Sequence, residues 1–164
     1  MGIELPSRFK HTIISDGIRS ACLENPLKVA FKHGNKTRTY HELIQRMDAI
    51  ARIISSSDIP LKSNIAIVAS NSIEYMEIVL ASSQLGHPIA TINPKLTATE
   101  LVSICEDAEA KLLFVDEKAH SLLEGIEIKG IKRIIDIDNQ MEDLIGQTDC
   151  QEEFPPVTET DTFT

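Results

Sequence analysis

The sequence predicts an α/β fold with a largely parallel sheet and crossover helices, preceded by a short hairpin. Continuously apolar runs such as 64–69 and 111–115 are typical of strands that are buried on both faces of a parallel sheet. Segments with apolar residues at helical spacing alternate with these runs. Because a helix separates successive strands, the connections are crossovers, which are right-handed in parallel sheets.

The first third of the chain predicts two helices separated by a hairpin. Residues 12–24 carry apolar residues at helical spacing, and segments 28–32 and 36–39 flank a turn that contains glycine. Thr39 and Glu42 form a capping box that opens the second helix. Its apolar residues fall on one stripe: Leu43, Ile44, Met47, Ile50, Ala51 and Ile54.

The rest of the body alternates strands and helices. Four apolar runs predict the strands of the sheet: 64–69, 88–92, 111–115 and 132–137. Helices are expected over 73–85, where Gly86 ends the helix, and around 118–124. A capping box at Thr97 and Glu100 opens another helix, and residues 139–145 predict one or two further turns. The helix after Thr97 is expected to bury Leu101, Ile104, Cys105 and Ala108.

The charges divide the chain into a neutral body and an acidic end. The 25 acidic and 16 basic residues give a net charge of −9. All 16 basic residues lie within residues 1–133, together with 16 acidic residues. Residues 134–164 contain the other nine acidic residues and no Lys or Arg. We interpret these acids as the charge of a domain edge and a tether. The balanced body lacks the clustered Lys and Arg of nucleic-acid-binding domains and of polybasic membrane anchors.

Length and composition indicate one folded domain with a tail. The 164 residues suffice for a buried core, and 42% hydrophobic residues is ordinary for a globular protein. We predict a domain over residues 1–146 and an acidic Pro/Thr-rich linker over 147–164. No run approaches the ~20 apolar residues of a membrane span, and no secretory h-region is visible. Three widely spaced cysteines are typical of reduced thiols, so a cytoplasmic location is expected.

A search for chemical motifs finds no catalytic, cofactor-binding or metal-binding residue. No phosphate-cradling glycine motif is present, and Gly34-Asn-Lys-Thr37 is interpreted as a hairpin turn. Cys105 is interpreted as an apolar core residue, and Glu74 and Glu77 as acids that suit a helix dipole. None of the five histidines has the spacing of metal ligands. His87 lies at a strand entry, where a functional role is conceivable. The five are His11, His33, His41, His87 and His120.

An ordered set of short runs nevertheless resembles a known family. Asn71-Ser-Ile-Glu74, Pro88-Ile-Ala-Thr-Ile-Asn-Pro-Lys-Leu-Thr97 and Asp107-Ala-Glu-Ala-Lys-Leu-Leu-Phe-Val-Asp116 are similar to the N-terminal part of the AMP-forming adenylating enzymes. These include acyl-CoA synthetases and luciferase-like enzymes, and the Asn93-Pro-Lys-Leu-Thr97 run most resembles the acyl-CoA ligase branch. The chain departs from the family at Lys62-Ser63, where Gly-Asp is usual, and at His87, where Ala is common.

The resemblance implies an N-terminal fragment of an ATP-dependent carboxylic acid–CoA ligase. Such an enzyme forms an acyl-AMP and then transfers the acyl group to CoA, with a fatty acid as the first expectation and an aryl or amino acid as the next. The full-length enzyme would use ATP, Mg²⁺ and CoA, whereas none of these is expected to bind this fragment. Glu159–Thr164 resembles the stretch before the family's phosphate-binding loop. We therefore expect the chain alone to be an inactive scaffold.

The partners that the resemblance implies are the rest of the same polypeptide and, in some members, a second copy in a homodimer. A different class of function remains open: a stand-alone α/β binding or interaction domain that has lost the adenylation chemistry. A small flavodoxin-like nucleotide binder is disfavoured. Its strand-to-helix loops should grip phosphate, and only Ala69-Ser-Asn-Ser72 offers a modest candidate.

Overall fold

The computed structural model describes residues 14–148 together with Phe154 and Val157. Of the predicted linker over 147–164, only residues 147, 148, 154 and 157 are described. Cys150 lies outside the described residues. In chain order, the helices and strands of the described part are α1 (Ile14–Glu24), β1 (Val29–His33), β2 (Lys36–Thr39), α2 (Tyr40–Ser55), β3 (Ile65–Val68), α3 (Ile73–Gln84), β4 (Ile89–Ile92), α4 (Ala98–Asp107), β5 (Leu112–Val115), α5 (Glu117–Leu123), β6 (Arg133–Asp136) and α6 (Met141–Gly146).

Strands β3 to β6 form a parallel four-stranded sheet in the order β4-β3-β5-β6, and β1 pairs with β2 as a separate antiparallel hairpin. The α/β class, the parallel sheet and the hairpin that the sequence predicts are therefore confirmed. The connection from β4 to β5 passes over β3. Strand order consequently reverses between β3 and β5, as in doubly wound folds.

Helices cover both faces of the sheet. Side chains alternate along each strand, so Ile67 and Phe114 face α2, α3 and α6, whereas Val68 and Leu113 face α4 and α5. All four residues are fully buried. This two-sided burial explains why the strands are continuously apolar in the sequence.

The predicted helix starts are confirmed at atomic detail. Thr39 and Thr97 each accept a hydrogen bond from the backbone three residues on, and each donates its own N–H to the carboxylate of Glu42 or Glu100, at 2.7 and 2.8 Å. The expected burial of Ile104 is wrong, because its side chain is 39% exposed. Helix α4 belongs to the outermost layer on its side of the sheet, so the flank that carries Ile104 has nothing to pack against among the described residues.

Helix α1 and the hairpin add a further layer outside α2 and α3. Leu43, Met47 and Leu80 form a small core there, with Ile18 and Phe31 packed against it. Helix α3 is thereby covered on two sides, and nine of its twelve residues are buried. One of these residues is the acidic Glu77, which has no access to water.

The Glu77 carboxylate binds two arginines from other elements. It accepts from Arg38 Nε of β2 at 3.0 Å and from Arg46 Nε of α2 at 2.6 Å. Arg46 also donates two hydrogen bonds to Glu142 of α6, at 2.9 and 2.7 Å. Although burial opposes its charge, these carboxylates raise the pKa of Arg46, and Arg46 in turn lowers the pKa of Glu142. Glu74 extends this Glu77 network through Lys36 and Arg38.

This network corrects two interpretations from the sequence. Glu77 is a buried ion-pair partner rather than an acid that serves the helix dipole, and Glu142 is not an uncompensated charge of a domain edge. The cause is distance along the chain, since Arg46 lies 31 residues from Glu77 and 96 residues from Glu142. Pairings of that range leave no periodic signal in a sequence.

One aromatic side chain of the predicted linker packs on the domain. Phe154 is partly buried against the core between the sheet and α2, and the Arg52 guanidinium lies 5.7 Å from its ring centroid. No helix in the described part of the chain combines the length and the apolar character needed to cross a bilayer.

Replacing Glu77 with alanine is expected to lower the free energy of unfolding by about 3 kcal/mol or more, because two arginines then lose their buried partner. The matched control is Glu142→Gln, since Glu142 is 65% exposed and exposed pairs contribute about 1 kcal/mol or less. Urea denaturation followed by circular dichroism measures both values. Equal losses for the two variants would contradict the central role of Glu77.

Candidate functional site at the carboxyl ends of the strands

A cleft of about 440 Å³ lies at the carboxyl ends of β3 and β4. In open parallel sheets this edge is where ligands bind, because the strand-to-helix loops meet there. Two such loops form the cleft, 69–71 after β3 and 93–95 after β4. Its complete lining is Ala69, Ser70, Asn71, Tyr75, Thr91, Ile92, Asn93, Pro94 and Lys95.

Local hydrogen bonds shape both walls of the cleft. Ser72 caps α3 by accepting the Tyr75 N–H at 3.0 Å, and the Asn93 side chain accepts the Lys95 N–H at 3.0 Å. The lining offers one ammonium group, two side-chain amides and several hydroxyls, but no His, Cys, Asp or Glu. The cleft can therefore hold an anionic or hydrogen-bonding group, but its lining contains no nucleophile paired with a general base.

Asp116 lies at the crevice between β3 and β5, where strand order reverses, and connects its two sides. One carboxylate oxygen accepts the Ser70 N–H at 2.9 Å, and the other accepts the Ala119 N–H at 2.8 Å. Asp116 thus caps α5 and ties it to the loop after β3. The cleft beside Lys95 lies one strand away, at the ends of β3 and β4.

Asp136, at the end of β6, is also bound by its own chain. It is 2% exposed and accepts the N–H groups of Asp138 and Asn139 at 2.9 and 3.1 Å, while His120 Nδ1 lies 3.3 Å from Oδ2. Burial opposes the charged form, but these donors outweigh it and hold the pKa of Asp136 below its usual value. Asp136 therefore stabilises the turn after β6. This corrects its interpretation from the sequence as a charge of the domain edge.

Residues that drew attention in the sequence lie away from the cleft. His87 is buried at the amino ends of the strands, at the other end of the sheet from the cleft. Its Nδ1 lies 2.8 Å from the Ser63 carbonyl oxygen, and burial lowers its pKa. Cys105 lies on the buried face of α4, and its burial together with the nearby Glu106 raises the pKa of its thiol to about 11. Among the described residues, no group of three or more His, Cys, Asp or Glu side chains could hold a metal ion.

Sequence reasoning assigned no site residue, and the absence of catalytic residues stays a prediction. Of the two modest candidates from the sequence, His87 lies away from the cleft, whereas residues 69–71 of the loop Ala69-Ser-Asn-Ser72 form one of its walls. Sequence reasoning missed the opposite wall, Asn93-Pro94-Lys95. The available signal was the pair of polar residues Asn93 and Lys95 directly after a predicted strand, because parallel strands bring the residues that follow them to one end of the sheet.

Replacing Asp136 with asparagine is expected to lower stability at neutral pH by about 1.5 kcal/mol, since hydrogen bonds to charged groups contribute about 1.5–3 kcal/mol. Because the folded-state pKa is depressed, this stabilisation is present above the unfolded pKa and is lost as pH falls through the folded pKa. The variant should lose less stability than the parent protein between pH ~5 and ~3 in urea titrations. Asp107→Asn, at an exposed position, is the control; an unchanged acid dependence in Asp136→Asn would contradict this account.

The chain matches the family model described as AMP-binding enzyme over residues 18–163. It is 27% identical over 114 residues to the 2-succinylbenzoate–CoA ligase of Geobacillus kaustophilus, and 32% identical over 66 residues to a 4-chlorobenzoate–CoA ligase of Arthrobacter. These matches cover 70% and 40% of this chain, but only 23% and 13% of the two ligases.

The fold agrees with solved ligase structures. The fatty acyl-CoA synthetase of Mycobacterium tuberculosis superposes with a TM-score of 0.83 at 16% identity, over 92% of this chain and 31% of that one. The chain thus spans less than a third of the length of these relatives. With the family model matching most of its residues, the chain belongs to the AMP-binding enzyme family.

Proposed function

We propose that this chain is the N-terminal part of an ATP-dependent carboxylic acid–CoA ligase that acts through an acyl-adenylate. The observation that carries the proposal is the family match over residues 18–163, together with curated relatives that are CoA ligases. Those relatives are several times longer than the matched region, which supports a longer polypeptide as the active enzyme.

The chemistry of adenylation indicates what the remaining polypeptide supplies. The reaction needs donors around a phosphoryl and a carboxylate group, a Mg²⁺ site and exclusion of water. Mg²⁺ is bound through carboxylate oxygens, and the cleft lining contains none. Mg²⁺ therefore does not fit this cleft, and we assign ATP, Mg²⁺ and CoA chiefly to the remainder of the enzyme. The chain described here acts as a scaffold and is inactive by itself.

A fatty acid is our first proposal for the acid substrate, and an aryl or amino acid is the next. The relatives support a carboxylic acid but differ in the acid, since the structural relative is a fatty acyl-CoA synthetase and the two curated relatives are CoA ligases of 2-succinylbenzoate and 4-chlorobenzoate. We also propose a cytoplasmic location, for which the free thiols of Cys22 and Cys105 are the support.

Within this enzyme, we assign the cleft beside Lys95 to an anionic part of a substrate. Lys95 provides the only cationic side chain of the lining, and Asn71 and Asn93 supply hydrogen-bonding amides beside it. The cleft opens at the sheet edge where doubly wound folds bind their ligands. It contributes binding rather than proton transfer, because the lining has no general base.

The alternative is a stand-alone α/β binding or interaction domain. The absence of a nucleophile–base pair in the cleft lining suits such a domain equally well. The two proposals differ in what the whole gene encodes and in whether its product consumes ATP.

The polypeptide encoded by the whole gene is expected to catalyse acid-dependent exchange of pyrophosphate into ATP, while the 164-residue chain shows none. The assay uses a matched panel of fatty, aryl and amino acids, with heat-treated protein as the blank. Exchange by the short chain would contradict the scaffold role. A whole-gene product that exchanges no pyrophosphate with any acid of the panel would favour the stand-alone alternative.

In the whole-gene product, Lys95→Ala is expected to raise the KM of one anionic substrate on the order of tenfold while kcat stays within about twofold, because the lysine contributes uniform binding. Lys28→Ala, at an exposed position before β1, serves as the control. Unchanged KM values for every substrate would show that the cleft takes no part in binding.

A further inference from the structure

The side chain of Asn93 is committed to the backbone of the turn that carries Lys95. Its Oδ1 accepts the Lys95 N–H at 3.0 Å, which is the hydrogen bond of an Asx turn. The Leu96 N–H donates to the Asn93 carbonyl oxygen at 3.4 Å, so a β-turn encloses the Asx turn. Pro94 occupies the second position of this β-turn, where its ring fixes φ in advance. Asn93 therefore holds the backbone of Lys95 in one conformation.

The turn is anchored at both of its ends. Ile92, the last residue of β4, is buried, and Thr97 is the N-cap of α4. Leu96 packs against the core between the sheet and helices α4 and α5. Only residues 93–95 lie between these anchors, so the Asx turn decides where the backbone of Lys95 stands beside the cleft.

The Lys95 ammonium, in contrast, has no partner among the described residues. None of them forms an ion pair or a hydrogen bond with it, and the cleft lining contains no carboxylate. The guanidinium groups of Arg38 and Arg46, by comparison, are bound to a buried carboxylate. An unpaired cation beside a cleft is available to an anionic ligand. Because its backbone is already ordered, less conformational entropy is lost when that ligand binds.

We propose that Asn93 is a positioning residue, which acts on substrate binding through Lys95. This inference rests on the proposed function, because it requires that Lys95 bind an anionic substrate of the whole enzyme. The Oδ1 of Asn93 is used by the turn, so the main contribution of this side chain is to the backbone. Asn71, in the other wall, makes no such hydrogen bond among the described residues, and its amide is available to the ligand itself.

Two substitutions of Asn93 separate the turn from the amide. Asn93→Gln keeps an amide but places its oxygen too far along the side chain for the Asx turn, whereas Asn93→Ser keeps an acceptor for the Lys95 N–H and removes the amide. Asn93 is exposed, so neither change disturbs the core. Asn93→Ala lacks both the acceptor and the amide and should behave as Asn93→Gln does.

Steady-state kinetics of the whole-gene product measure the effect on the substrate whose KM rises in Lys95→Ala. Asn93→Gln is expected to raise this KM about fivefold, because one hydrogen bond of the turn is lost. The kcat should stay within about twofold, since the interaction contributes uniform binding. Asn93→Ser should raise the same KM by about twofold or less, because the turn is kept. Melting curves followed by circular dichroism verify that each variant is folded.

A double-mutant cycle tests whether Asn93 acts through Lys95. When combined with Lys95→Ala, Asn93→Gln should change the KM by less than about twofold, because the ammonium that the turn positions is gone. Asn35→Gln, in the exposed turn between β1 and β2, is the control and should leave the KM values as they are in the parent protein.

An unchanged KM in Asn93→Gln would overturn the proposal, and so would the full rise of KM in the Lys95→Ala background. A rise in Asn93→Ser as large as that in Asn93→Gln would overturn it as well and would assign the amide to direct contact with the ligand. If Lys95→Ala raises a KM and Asn93→Gln does not, only the positioning role fails. If Lys95→Ala changes no KM, or the whole-gene product exchanges no pyrophosphate, the proposed function fails and this inference fails with it.

Discussion

Burial of the sheet on both faces is the constraint on which the rest of this structure depends. The strands are too apolar to leave either face in water, so α2, α3 and α6 cover one side and α4 and α5 the other. Parallel strands then need crossover helices, and right-handed crossovers on opposite faces produce the order β4-β3-β5-β6. Because the strands are parallel, their strand-to-helix loops meet at one end of the sheet, where the cleft beside Lys95 lies.

The same layering explains the buried charge. The hairpin and α1 cover α3 from outside, which removes Glu77 from water and makes charged partners necessary. Arg38 and Arg46 supply them, and Arg46 extends the connection to Glu142 on α6. The Glu77 network therefore ties the outer layer and the last helix to the body of the domain.

Two carboxylates at the carboxyl ends of the strands serve the fold. Asp116 joins α5 to the loop after β3, and Asp136 orders the turn after β6. Among the described residues, what remains open there is a polar cleft with one cationic side chain.

The sequence by itself determined the elements, because their signals are local. Capping boxes at Thr39 and Thr97, apolar runs and helical stripes predicted nearly every helix and strand, and the ordered motifs identified the family. Only the tertiary structure decided which polar groups meet. Burial of Glu77, the hydrogen bond of Asp116 to the loop after β3 and exposure of Ile104 depend on layers packed from distant parts of the chain. Side-chain pairing over such separations follows from the path of the backbone in space, which no local pattern of residues encodes.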